Sequence, residues 1–197
     1  MEQSLEQQVQ RLLDQQEIQR ILHLYCRAID RLDLALLKSL YHPDATDEHG
    51  VFVGNAHAFA GFIMSKMAEV TTYGFHTITQ SIIDVRGDVA AGESTYLAYH
   101  RIGAGFENIS RFFGPTYAHR SEQAGTLEIE HEFIAGGRYI DRFERREGVW
   151  RIARRKITNE WQQCQPTSRV LDEGEPAHVN LPGARDRSDP VYGNLVD

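Results

Sequence analysis

Apolar residues recur at helical spacing from the start of the chain. Leu5, Val9, Leu12, Leu13, Ile18, Ile21, Leu22, Tyr25, Ile29 and Leu32 form one stripe, which predicts a long amphipathic helix, or two joined near Asp14-Gln15-Gln16. Ser4-Leu5-Glu6-Gln7 precedes it with the form of a capping box, in which a Ser hydroxyl and a Gln side chain satisfy free backbone N–H groups. Asp33 is placed to cap a second helix, LALLKSLY, which His42-Pro43-Asp44 ends. DEHGVFVGN reads as a loop or short strand. Phe59, Phe62, Ile63, Met64 and Met67 then mark another amphipathic helix.

After residue 73 the period changes to that of strands. Phe75–Val85 is rich in Thr and Ile and ends at the turn Arg86-Gly87-Asp88, and Val89–Ile102 follows. The Gly-rich, aromatic stretch 103–125 reads as a long loop. Leu127–Ala135 resumes as strand, and Gly136-Gly137 permits a bulge or sharp bend. Arg138–Arg146 and Val149–Trp161 form a hairpin turning at Glu147-Gly148. Helices first and a meander of long antiparallel strands afterwards predict an α+β fold, with the helices covering one face of a curved sheet. Residues 165–197 hold four of the six prolines and little periodicity. The division expected is therefore a domain over 1–162 and a tail over 163–197.

Composition narrows the function. The chain has 197 residues, 21 Lys+Arg against 28 Asp+Glu, and a net charge of −7. That acidity argues against nucleic acid as a partner. No run approaches the roughly 18 apolar residues of a membrane helix, and the acidic, Gln-rich N-terminus is unlike a signal or transit peptide. With two cysteines, Cys26 and Cys164, and no CxxC spacing, a reduced cytoplasm is the expected compartment. Between Arg138 and Lys156 lie eight of the 21 basic residues, interleaved with Asp141, Glu144 and Glu147. That pattern is a salt-bridged hairpin surface rather than a phosphate-binding stripe. Phosphate loops, nucleophile elbows and HExxH motifs do not occur.

A few residues look misplaced unless they do chemistry. Strict alternation puts Arg155 on one face with Arg151, Ala153, Ile157, Asn159 and Trp161. A guanidinium there must meet a carboxylate or an anionic group of a ligand. His76 shares a face with Ile78, Gln80 and Ile82, as a core histidine or as a general base. Tyr25 and Asp30 lie about 140° apart around the first helix, where both could border one cavity. They read otherwise as a core tyrosine and a solvated aspartate. Asp44, Asp47, Glu48 and His49 form a polar cluster before Gly50. It fits no calcium loop or metal spacing, so no metal is expected. His49 is assigned to substrate contact, with His100 (on the face of Tyr96 and Ala98) as a pocket donor. Phe75, Tyr96 and Trp161 are assigned as aromatic pocket lining.

Tyr25-x4-Asp30, the DEHG stretch before a helix, His76 opening a Thr-rich strand, and GRYIDRFERREGVWRIARR together resemble the SnoaL-like branch of the nuclear transport factor 2-like superfamily. The similarity spans roughly residues 8–162 and is most specific in the final hairpin. Bile-acid dehydratase, hexachlorocyclohexane dehydrochlorinase, scytalone dehydratase and a diarylpropane lyase are members. The resemblance implies a cone: a strongly bent antiparallel sheet around a central pocket closed by the N-terminal helices. It further implies a His76–Asp30 general base, assisted by Tyr25 and Arg155, acting without a cofactor. The activity implied is a lyase of aromatic-compound catabolism that eliminates water or formaldehyde from a hydrophobic aromatic or alicyclic ring substrate. An isomerase or cyclase, or a non-catalytic small-ligand-binding protein, is the alternative. A homodimer or homotrimer is expected, with the tail as a lid or subunit contact.

Overall fold

The computed structural model describes residues 4–169, 173–175 and 183–194. The capping box forms: the Gln7 N–H donates to Ser4 Oγ and the Ser4 N–H to Gln7 Oε1. One unbroken helix follows, α1 (Leu5–Asp30). Its apolar stripe divides in two. Ile18, Leu22, Tyr25, Ala28 and Ile29 are buried, whereas Leu5, Val9, Leu12 and Leu13 are exposed, because only the second half of the helix lies over the sheet. Asp33 caps α2 (Leu34–Ser39) by accepting the Leu36 N–H at 3.0 Å. The stretch read as loop or short strand is a hairpin, in which β1 (Tyr41–His49) turns at Gly50-Val51 into β2 (Phe52–Asn55), and α3 (Ala56–Val70) follows.

The remaining strands are β3 (Thr71–Arg86), β4 (Val89–Ile102), β5 (His131–Arg146) and β6 (Val149–Pro166). They form one six-stranded sheet of order β2-β1-β6-β5-β4-β3, with β1 and β6 parallel and the other neighbours antiparallel. The sheet curls without closing, and the helices cover its inner face. Glu147 (φ 53°) and Gly148 (φ 78°) turn the β5–β6 hairpin with positive φ at both central residues, the conformation whose twist matches that of the strands.

Residues 103–125 are not a loop. Gly105 and Gly114, both at positive φ, bound two short helices, α4 (Phe106–Phe113) and α5 (Pro115–Gln123). The glycines punctuate helices there rather than fill a coil. Strand β5 starts at His131, four residues later than expected, and β6 continues past Trp161 to Pro166.

Two β-bulges decide which face of β6 is inside. Arg142 pairs with Arg154 and Phe143 with Ile152, so Ala153 is extra; Gly136 pairs with Trp161 and Gly137 with Asn159, so Glu160 is extra. Each extra residue reverses the alternation that follows it. The inner face therefore reads Trp150, Ile152, then Arg155, Ile157, Asn159, then Gln162 and Cys164. A side chain at Gly137 would meet the Thr158 carbonyl oxygen at 1.9 Å, so the close strand approach at this bulge requires glycine. Strand β3 carries the same device at Thr79, between the pairs Ile78–Tyr96 and Gln80–Thr95. Ile82 is consequently 70% exposed and Ile83 buried, which corrects the expectation that Ile82 shares the face of His76.

The described end of the chain packs on the corner between α1 and α2. Arg31 Nε pairs with Asp189 Oδ2 at 2.9 Å, and Tyr192 donates its hydroxyl proton to Asp33 Oδ2 at 3.0 Å. Arg185 donates to the Thr71 hydroxyl at 2.8 Å.

Candidate active site

The last turn of α1 delivers Asp30 against the first half of β3. Its carboxylate grips His76 twice: Oδ2 accepts the backbone N–H at 3.0 Å and Oδ1 lies 2.7 Å from ring Nδ1. With Nδ1 engaged, Nε2 is the nitrogen available to the cavity that His76 lines. That cavity has a volume of about 580 Å³, within the range of small-molecule sites. Tyr25, His49, His100, Phe112, Phe113, Phe133 and Tyr139 also face it, with Asn159, Gln162 and Cys164 from the end of β6. A larger cleft of about 860 Å³ lies between α1, α2 and the β5–β6 turn, but none of the three cavity histidines reaches it.

The SnoaL-like domain family matches residues 10–156. The chain belongs to that family. Among solved structures, the SnoaL-like chain is similar to hexachlorocyclohexane dehydrochlorinase LinA-type3 of Novosphingobium barchaimii LL02, with 16% identity, 83% of this chain and 96% of that one covered, and a TM-score of 0.62. It is also similar to a candidate scytalone dehydratase of Novosphingobium aromaticivorans DSM 12444 (17% identity, 81% and 97% covered, TM-score 0.60). The Kfla4162 protein of Kribbella flavida gives 16% identity, 78% and 95% covered, and a TM-score of 0.60. At these identities the likeness establishes the cone-shaped fold alone. None of the curated proteins compared matches the chain.

In this SnoaL-like domain Arg155 lies behind the cavity rather than in it. It is wholly buried, and its Nε and Nη2 donate to Asp141 Oδ1 and Oδ2 at 2.8 and 2.7 Å. The guanidinium carbon sits 4.1 Å from the ring centres of both Tyr25 and Tyr139. These two tyrosines form the cavity wall in front of it. The expectation of a substrate-facing Arg155 is thereby corrected: its anion is a carboxylate of the protein. Burial raises the Tyr25, Tyr41 and Tyr139 phenols well above their ordinary range, opposed in each case by Arg155, so all three remain proton donors.

His49 and His100 line the cavity, whereas Phe75, Trp161 and Tyr96 do not. Phe75 is 50% exposed on the outer face of β3. Trp161 is likewise 50% exposed, because the Glu160 bulge turns it outward over Gly136. Tyr96 is buried beneath the wall, stacked on Tyr139 at 4.7 Å and donating to the Thr158 carbonyl. Asp141 and Tyr139 were not singled out from the sequence. The signal was present in β5, where one strictly alternating face reads Phe133, Ala135, Gly137, Tyr139, Asp141, Phe143. A lone acid in that apolar row marks the partner of Arg155.

The His100 ring lies 5.0 Å from that of His76. Burial, the neighbouring His76 and the Arg185 guanidinium push its pKa well below 6.5, so it is a neutral imidazole. Its Nδ1 is buried without a hydrogen-bond partner. A stability signature follows from the sign of this shift. The unfolded chain takes up a proton at this residue near pH 6.5 and the folded chain does not. Stability therefore falls as pH drops below about 6.5, by up to about 1.4 kcal/mol per pH unit, until the folded value is reached. Urea titrations at successive pH values should show a shallower acid limb for His100→Gln than for the wild type. Parallel limbs would mean that His100 charges in the folded protein.

No metal-binding group of His, Cys, Asp and Glu occurs among the described residues. None of their helices is long and apolar enough to cross a membrane.

Proposed function

We propose that the protein is a cofactor-independent lyase in which His76, held by Asp30, removes a proton from a hydrophobic aromatic or alicyclic substrate, after which a small fragment, water or formaldehyde, is expelled. The observation that carries this reading is the double grip of Asp30 on His76 at the wall of an aromatic cavity. A carboxylate on Nδ1 fixes the tautomer, leaves the Nε2 lone pair to the substrate, and stabilises the imidazolium that forms. Apolar walls favour a ring compound and exclude the water that would compete for the base. Tyr25 presents a protonated phenol to the same space and serves as a hydrogen-bond donor to oxygen that gains charge. Arg155 is a positioning residue that holds Tyr25 and Tyr139 in place from behind. We further propose that the chain works in the cytoplasm as a homodimer or homotrimer.

The test is a turnover screen of the full-length protein with chelator present. Ring alcohols, hydroxy ketones and diaryl dimers are offered, and products are followed by mass. Loss of 18 Da (water) or 30 Da (formaldehyde) from at least one compound is the expected result, these being the masses of the leaving groups named. Substrate rearranged without mass change would make the enzyme an isomerase instead. Ligand retained unchanged would make it a binding protein.

A further inference from the structure

At the other end of the curled sheet stands a second imidazole–carboxylate pair that proton abstraction by His76 does not use. His49 ends β1, which three strands separate from β3 in sheet order, and it lines the same cavity as His76. Its Nδ1 lies 3.3 Å from Asp47 Oδ1, and its ring stacks on Phe59 with centroids 4.6 Å apart. Asp47 is wholly buried, and its Oδ2 accepts the Tyr41 hydroxyl at 2.7 Å.

The hydrogen bonds around this pair leave one Asp47 oxygen facing the histidine. Asp47 is the register partner of Arg155 across β1 and β6, yet Arg155 already holds Asp141 with two hydrogen bonds. Both of those bonds go to Asp141, and Asp47 Oδ1 is left buried without a hydrogen bond, with His49 Nδ1, likewise unbonded, 3.3 Å away. Glu48, next in the strand, pairs with Lys156 outside the cluster. Lys66 lines the cavity from α3 but forms no ion pair with Asp47. Among the described residues, His49 is the side chain with a ring N–H within ion-pair distance of Asp47. Burying a carboxylate is costly. A histidine that merely touched substrate would not need one behind it.

We propose that His49, steered by Asp47, is the proton donor to the departing group, and that the substrate is a ring compound whose leaving atom is an oxygen too basic to depart unaided. This rests on His76 being the base. The step balances. His76 Nε2 takes the C–H proton, the C–H electron pair becomes a new π bond, and the bond to the leaving oxygen breaks. That oxygen receives the His49 proton, leaving His76 charged and His49 neutral until solvent resets both.

Benzisoxazoles probe both roles without knowledge of the natural substrate. Removal of their ring C–H proton cleaves the N–O bond and releases a phenoxide. The 5-nitro compound gives a good leaving group and the unsubstituted compound a poor one. Wild type should open both, and His76→Ala should lose about 100-fold or more on both, the usual contribution of a positioned base. His49→Gln, which can hydrogen-bond but not transfer a proton, should lose about 100-fold on the unsubstituted compound and less than about 10-fold on the nitro compound. Asp47→Asn should repeat that selectivity.

An equal loss on both compounds in His49→Gln, or no loss, overturns the donor while leaving the base intact. A rate that survives His76→Ala overturns the base and the donor with it. Absence of any rate above buffer in the wild type overturns the donor acting on an aromatic ring, and leaves the lyase to be judged by its own screen.

Discussion

Replacing His76 by alanine is expected to lower turnover of a compound identified by mass loss by about 10³-fold, within the range for removal of a general base. The effect should fall on kcat and spare KM, because Tyr25, Tyr139, Phe112 and Phe133 still line the cavity when the imidazole is gone. Asp30→Asn is the more informative companion. The Asn side chain keeps the shape and can accept the His76 backbone N–H, but its amide cannot stabilise an imidazolium. A loss approaching that of His76→Ala would show that the carboxylate matters for its charge and not only for its place. Turnover within about fivefold of wild type in either variant would remove the pair from the mechanism.

The second large effect concerns stability. Arg155→Met should destabilise the fold by about 3–5 kcal/mol, because it leaves the buried Asp141 carboxylate without its guanidinium. Two tyrosine faces also lose the cation stacked between them. The urea midpoint should fall accordingly with little change in slope. The double variant Arg155→Met, Asp141→Leu should recover most of the loss, since a buried ion pair can be exchanged for apolar packing more cheaply than it can be halved. A single variant as stable as the wild type would mean that the pair contributes nothing and that Arg155 is retained for another reason.

Much of the fold is legible in the sequence because its signals are local. Ser4 with Gln7, Asp33 with the Leu36 N–H, and Glu147-Gly148 at the hairpin are each read within four residues. The unbroken alternation of β4 likewise places His100 correctly beside Ala98. The site residues divide by the same criterion. His76 and His100 lie on segments whose phase can be followed, and both reach the cavity. Trp161 and Ile82 come out on the wrong face because a bulge lies between them and the residues from which alternation was counted. Arg155 is buried for the same reason, two positions beyond Ala153. Its inward direction matches strict alternation only for residues 155–159. Its partner Asp141 is 14 residues away on the neighbouring strand, and pairing across a sheet depends on register rather than on anything adjacent in the chain. Helices α4 and α5 were obscured by the glycines that delimit them.

The two extra residues of β6 have a bearing on how relatives diverge. Displacing the extra residue from Glu160 to a point beyond Cys164 would exchange Gln162 and Cys164 for Trp161 and Gln163 on the cavity wall without changing any of these four residues, whereas deleting Glu160 outright would leave the facing of all four as it is. A shift of the bulge along this strand is thus a short evolutionary route to a differently lined cavity. Residue-for-residue alignment of the strand ends would then pair side chains that face opposite ways.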